Sequence, residues 1–166
     1  PTCVGSVVFT DGIRLAAGAQ HTVILKNDGT VWTCGIDDQG QLGDNVPAVS
    51  SNSVVQVALA NAVAITAGED HSLALINDGT VRAWGNGSEG ELGDGGFLND
   101  PVPITVCDPL GCGSGSLSNI VAVAAGGFHS MAMLDDGTIL TWGDDTRGQL
   151  GDGLPLSSTT LPGPIV

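Results

Sequence analysis

One pattern is written into this chain three times, and it limits the folds open to it more than any other feature. It reads Ala17-Gly18-Ala19-Gln20-His21-Thr22, then Ala67-Gly68-Glu69-Asp70-His71-Ser72, then Ala125-Gly126-Gly127-Phe128-His129-Ser130. Each copy is followed at matched spacing by Asp-Gly-Thr, a short hydrophobic run and Gly-x-Leu-Gly-Asp. Equivalent histidines lie 50 and then 58 residues apart. Units of that length do not bury a core alone, so the chain is expected to be an array of stacked units that presents a surface.

Within the middle copy, Ala62 to Ala67 is a run rich in β-branched residues that ends at Gly68, and His71 to Ile76 is a second run ending at Asn77-Asp78-Gly79. A third run, Thr80 to Trp84, stops at Gly85. Short runs separated by Gly and Asp-Gly turns read as strands joined by hairpins, and no segment keeps a helical period. The run Pro101 to Val106 carries two prolines, which confine it to an edge or entry position. Four short antiparallel strands per unit make a propeller blade. The expected fold is therefore all-β, a partial β-propeller of about three four-stranded blades. The whole chain, 1–166, reads as a single repeat domain with blades at about 4–50, 51–106 and 113–166.

Ala-Gly-x-x-His-[Ser/Thr], then Asp-Gly-Thr-x-x-x-Trp-Gly, then Gly-Gln-Leu-Gly-Asp resembles the regulator of chromosome condensation (RCC1-like) repeat, here in a bacterial-type version. The matches run Ala17 to Asp44, Ala67 to Asp94 and Ala125 to Asp152. The resemblance implies structural roles for Gly18, His21, Gly68, His71, Trp84, Gly126, His129 and Trp142. Two departures stand out: Cys34-Gly35 replaces Trp-Gly in the first copy, with a tryptophan at position 32, and three repeats are fewer than the seven blades of the family's ring. Open sheet edges pair readily with another chain, so association is expected. The trailing Pro162 to Val166 reads as the strand opening a next blade, able to pair with Val4 to Phe9.

Charge narrows the choice of partners. The chain has 18 acidic residues against 4 basic ones, for a net charge of −14, which argues against nucleic acid and anionic membrane surfaces. Its apolar runs are too short to cross a bilayer as a helix, and no basic amino-terminal region precedes a hydrophobic segment, so neither a spanning helix nor a secretion signal is expected. The start at Pro1 reads as a processed precursor or as numbering that begins mid-chain. Of the four cysteines, Cys107 and Cys112 enclose a turn-forming Asp-Pro-Leu-Gly and are expected to form a disulfide, which points to an oxidising compartment, extracellular or at the cell surface. Cys3 and Cys34 either pair with each other or stay reduced, and Cys34 also reads as core.

The histidines sit in separate units, so they read as securing the Ala-Gly turns through nearby backbone and not as a shared metal site. Asp28-Gly29, Asp78-Gly79 and Asp136-Gly137 read as hairpin turns. The acidic loops, Asp37-Asp38 with Asp44, Glu89 and Glu91 with Asp94, and Asp144-Asp145 with Asp152, offer the hard oxygens calcium prefers, although their spacing matches no twelve-residue calcium loop. No nucleophile, phosphate-loop or cofactor pattern stands out. The leading expectation is a noncatalytic protein-binding or assembly module without a resident cofactor. The resembled family includes a secreted β-lactamase inhibitor, which implies that the scaffold binds proteins without chemistry. Its founding member implies a second reading, guanine-nucleotide exchange on a small GTPase. A third is a structural subunit of a surface fibre or adhesin.

Overall fold

The computed structural model describes residues 14–46 and 49–166. Its first sheet holds β1 (Arg14–Ala17), β2 (His21–Leu25), β3 (Val31–Gly35) and β4 (Ser51–Gln56). The second holds β5 (Ala62–Ala67), β6 (His71–Ile76), β7 (Val81–Gly85) and β8 (Asp100–Thr105), and the third β9 (Ile120–Ala125), β10 (His129–Leu134), β11 (Ile139–Gly143) and β12 (Thr159–Pro164). Each sheet keeps its strands in chain order, with every neighbour antiparallel. The architecture is all-β, three four-stranded blades, and no helix occurs among the described residues.

Equivalent residues hold equivalent places in the ladders. His21 faces Gly35, His71 faces Gly85 and His129 faces Gly143. The turns between second and third strands are fixed by aspartate: Asp28 Oδ1 accepts from Thr30 N at 3.0 Å, and Asp78 and Asp136 repeat the bond to Thr80 and Thr138 at 2.9 Å. The Thr30 and Thr80 hydroxyls, donating to Asp28 and Asp78 at 2.6 and 2.7 Å, and then the same backbone amides lower the pKa of those two carboxyls, and the Thr138 amide and hydroxyl lower that of Asp136. This side-chain acceptor two residues upstream reinforces the turn's own backbone closure, Gly29 N to Lys26 O, Gly79 N to Ile76 O and Gly137 N to Leu134 O.

The core lies between blades, not within them. Val23, Leu25 and Val31 of blade 1 pack with Ala74, Ile76 and Trp84 of blade 2. On the other face of blade 2, Leu73, Leu75, Val81 and Ala83 pack with Ala132, Leu140 and Trp142 of blade 3. Successive residues of β6 thus serve opposite junctions, as the two-residue period of a strand requires. Every position from His71 to Ile76 is buried.

Two boundaries differ from those read in the sequence. Ser51–Gln56 pairs with β3 and completes blade 1, so the first two units meet after residue 56 and not at 50. The trailing segment does not open a new blade: Thr159–Pro164 is the outer strand of blade 3, with Gly163 opposite Thr141. Pro164 is tolerated because an edge strand has no outer ladder to supply. The expected partner of that segment, Val4 to Phe9, lies outside the described residues, as does Cys3.

Candidate functional site

The same clasp closes both blade junctions. The His71 ring lies against Gly68, where an added Cβ would stand 2.1 Å from the imidazole Cε1. Its Nε2 meets Ser130 Oγ at 3.0 Å, and Ser130 donates to the Glu91 carbonyl at 2.8 Å. Because the serine proton is committed to that carbonyl, the imidazole is the donor, carries its proton on Nε2 and leaves Nδ1 bare. Nδ1 is indeed buried without a partner, as it is in His21. The Trp142 indole donates to the same Glu91 carbonyl at 2.9 Å. One junction earlier, His21 Nε2 meets Ser72 Oγ at 2.9 Å, and Trp84 donates to the Gln41 carbonyl at 3.0 Å. The turns are stitched as well, Ala19 N to Glu69 O at 3.0 Å and Glu69 N to Gly127 O at 2.9 Å.

The glycines of Gly-x-Leu-Gly-Asp belong to this clasp. A Cβ on Gly43 would approach Trp84 Nε1 to 2.7 Å, and one on Gly93 would do the same to Trp142. Burial lowers the His21 pKa to about 4 and the His71 pKa to about 3, the latter also through the charges of His21 and His129. Both rings are neutral at neutral pH. The histidines were expected to bind nearby backbone; instead His21 and His71 reach hydroxyls on the next blade. Gly18, Gly68 and Gly126 are the floor each ring rests on. Among the described residues no three His, Cys, Asp or Glu side chains form a group able to hold a metal ion.

The acidic candidates are spread along their loops and engaged with backbone. Asp37 Oδ1 accepts from Leu42 N at 2.8 Å and Asp145 Oδ1 from Leu150 N at 2.9 Å, which carries Leu42 and Leu150 into the core. Asp44, Asp94 and Asp152 each accept, at 2.9 Å, from the amide two residues on. Asp38 accepts from Gln41 Nε2 at 3.2 Å, and Asp144 accepts from Gln149 Nε2 at 2.6 Å. Glu91 occupies the position of Gln41 and Gln149 and has no amide to donate. Its Oε2 accepts from Glu89 N at 2.8 Å, its Oε1 is buried without a partner, and burial raises its pKa to about 7. Glu89 reaches across to Ser158 Oγ at 2.8 Å.

The Cys107–Cys112 disulfide is present, closing a loop anchored by Cys107 N to Gly93 O at 2.8 Å. Cys34 is fully buried and is not free. The loops after Gly-x-Leu-Gly-Asp share a feature that the motif itself does not carry. Each exposes an apolar pair: Val46 and Val49, Phe97 and Leu98, Leu154 and Leu156, between 46% and 79% exposed. All three loops leave the end of the blade where the histidine turns lie, and they run onto the fourth strand of the following blade in two cases, Asn45 N to Pro101 O and Gly95 N to Thr160 O. Sequence reading also missed Ser72 and Ser130 as clasp residues, although Ser or Thr follows the histidine in every copy.

Comparison with known proteins agrees with this geometry. Sequence profiles of the regulator of chromosome condensation (RCC1) repeat match residues 13–41, 62–91 and 120–149, and in a second alignment 28–75 and 78–133. The chain is 46% identical over 148 residues to the probable E3 ubiquitin-protein ligase HERC4 of Rattus norvegicus, covering 89% of this chain and 14% of that protein. Among solved structures, human WBSCR16 superposes with a TM-score of 0.78 at 25% identity, over 95% of this chain and 39% of that one. Prp20p from Saccharomyces cerevisiae, described with its binding properties to Gsp1p and histones, gives 0.77 at 26% identity, over 92% and 38%. The chain therefore spans about a seventh of its curated relative and under two fifths of these structures.

Proposed function

This chain belongs to the regulator of chromosome condensation (RCC1) repeat family, and from that premise we propose that it is a noncatalytic module that holds a protein partner on its blade loops. The observation that carries this reading is the exposed apolar pair repeated on equivalent loops, Val46 and Val49, Phe97 and Leu98, Leu154 and Leu156. Exposed apolar side chains rimmed by polar ones suit a protein contact, here set among the acidic residues of a chain of net charge −14. The partner is accordingly a protein surface with apolar anchors and a basic rim. The Cys107–Cys112 bond supports an oxidising compartment, extracellular or at the cell surface.

The test compares the chain with a variant carrying Phe97→Ser, Leu98→Ser, Leu154→Ser and Leu156→Ser, all exposed. Both are immobilised, and retained proteins are identified by mass spectrometry from the source extract. Proteins kept by the first and lost by the second support the reading; identical sets count against it. The binding of Prp20p to Gsp1p favours a second reading, exchange of guanine nucleotide on a small GTPase. Acceleration of labelled-nucleotide release by the purified chain would replace the first reading with this one.

A further inference from the structure

The two junctions share one clasp but differ at a pair of facing places. At the first, Gln41 is fully buried, and its Nε2 donates to Asp38 Oδ1 at 3.2 Å and, across the junction, to Asp70 Oδ1 at 3.3 Å. At the second, the equivalent places hold Glu91 and Phe128. A donor and its acceptor are thereby replaced by an acceptor and an apolar ring. Glu91 is fully buried as well; its Oε2 accepts from Glu89 N at 2.8 Å, and among the described residues its Oε1 has no partner.

This carboxyl belongs to the residue on which the clasp closes. The Glu91 main-chain carbonyl takes the Ser130 hydroxyl at 2.8 Å and the Trp142 indole at 2.9 Å, and its Cα lies so close to Gly143, at the end of β11, that a Cβ there would stand 3.3 Å from it. The titratable and charged groups around it are Glu89 on its own loop, Asp144 on blade 3 with Arg147 acting on it, His129, whose Cα borders the same Gly143, and His71, linked to Glu91 through Ser130. A neutral carboxyl suits such a place. A carboxylate there is stripped of water, short of a donor for Oε1 and repelled by Glu89 and Asp144.

We propose that Glu91 is a pH-sensitive latch on the junction between blades 2 and 3, closed while its carboxyl keeps a proton and loosened when the carboxylate turns out to water and draws its main-chain carbonyl off Ser130 and Trp142. The junction between blades 1 and 2, which holds Gln41 at that place, lacks this response. The array therefore has one joint that senses pH through a carboxyl and one that does not. Burial raises the Glu91 pKa from 4.5 to about 7, so closure is favoured fully below 4.5 and that contribution is lost as pH rises through 7. The clasp histidines respond in the opposite sense, but His21 and His71 do so at both junctions, so the contrast between the junctions isolates Glu91.

The experiment follows exchange of the Trp142 and Trp84 indole N–H protons with solvent, by nuclear magnetic resonance on the full chain, each rate divided by the intrinsic rate at the same pH. Both protons are held by clasp carbonyls, so each reports the opening of its own junction. The ratio of Trp142 to Trp84 protection is expected to fall at least about tenfold from pH 5 to pH 8. In Glu91→Gln, which places the residue of positions 41 and 149 at the latch, the ratio is expected to stay within about twofold over the same range. A ratio that is flat in the unmodified chain overturns the proposal, including one produced by equal loss at both indoles, which is opening of the whole chain. A fall that persists in Glu91→Gln assigns the response to Asp144 or His129 and overturns it equally. Neither result bears on partner retention by the loops, so the functional reading stands or falls separately.

Discussion

At the scale of single residues, the clasp makes stability depend on pH through two opposed groups. His21 and His71 have pKa values lowered from 6.5 to about 4 and about 3. Below pH 6.5 the unfolded chain takes up protons that the folded one refuses, so their contribution is complete above 6.5 and is lost as pH falls toward those values. Glu91 works the other way: its pKa is raised from 4.5 to about 7, so its contribution is complete below 4.5 and is lost as pH rises through 7. Glu91→Gln restores the residue found at positions 41 and 149. Urea denaturation is expected to show a gain of up to about 3 kcal/mol at pH 8 and little change at pH 4. Ser130→Ala removes the acceptor of the His71 proton and costs about 1–3 kcal/mol, whereas Thr22→Ala, at a position that grips no preceding imidazole, costs under about 0.5 kcal/mol. The structural role of the histidines was legible in their repetition. Their partners were not, because Ser72 and Ser130 lie 51 and 59 residues along the chain, and local sequence points only to nearby backbone.

At the scale of elements, strands two and three of the middle blade were readable almost to the residue, because both of their faces are buried and they are bounded by Gly or Asp-Gly. The outer strand was not. Ser51–Gln56 is half exposed and polar along much of its length, so Ser50-Ser51-Asn52-Ser53 reads as loop, and the blade was cut there. The same physics hid the role of Thr159–Pro164, whose prolines and glycine mask an edge strand. The clasp glycines and tryptophans carry the junction between elements. Gly93→Ala meets both a positive φ of 70° and the Trp142 indole, and is expected to cost more than about 2 kcal/mol by thermal denaturation. Trp142→Phe keeps most of the packing, gives up the bond to the Glu91 carbonyl and costs about 1–2 kcal/mol. Reducing Cys107–Cys112, which spans a sequence separation of 5, releases a small loop and costs about 2 kcal/mol without splitting the unfolding transition.

At the scale of the molecule, the repeat count, the blade architecture and the acidic balance followed from sequence, while the difference between the two junctions did not. Cys34 in place of tryptophan was visible, but its meaning needed the clasp that the indole completes. The apolar pairs on the loops were likewise invisible to motif reading, since Val46, Phe97 and Leu154 lie beyond the repeated Gly-x-Leu-Gly-Asp and vary in identity. With the core placed between blades, stability is a property of neighbours, as in other stacked arrays. Amide hydrogen exchange on a Trp84→Ala chain tests that claim most directly. The account predicts that protection falls together in β2 and β3 of blade 1 and in β6 and β7 of blade 2, because they share one core, while β10 and β11 change less. A loss confined to β7 and its hairpin, with blade 1 unaffected, would contradict it.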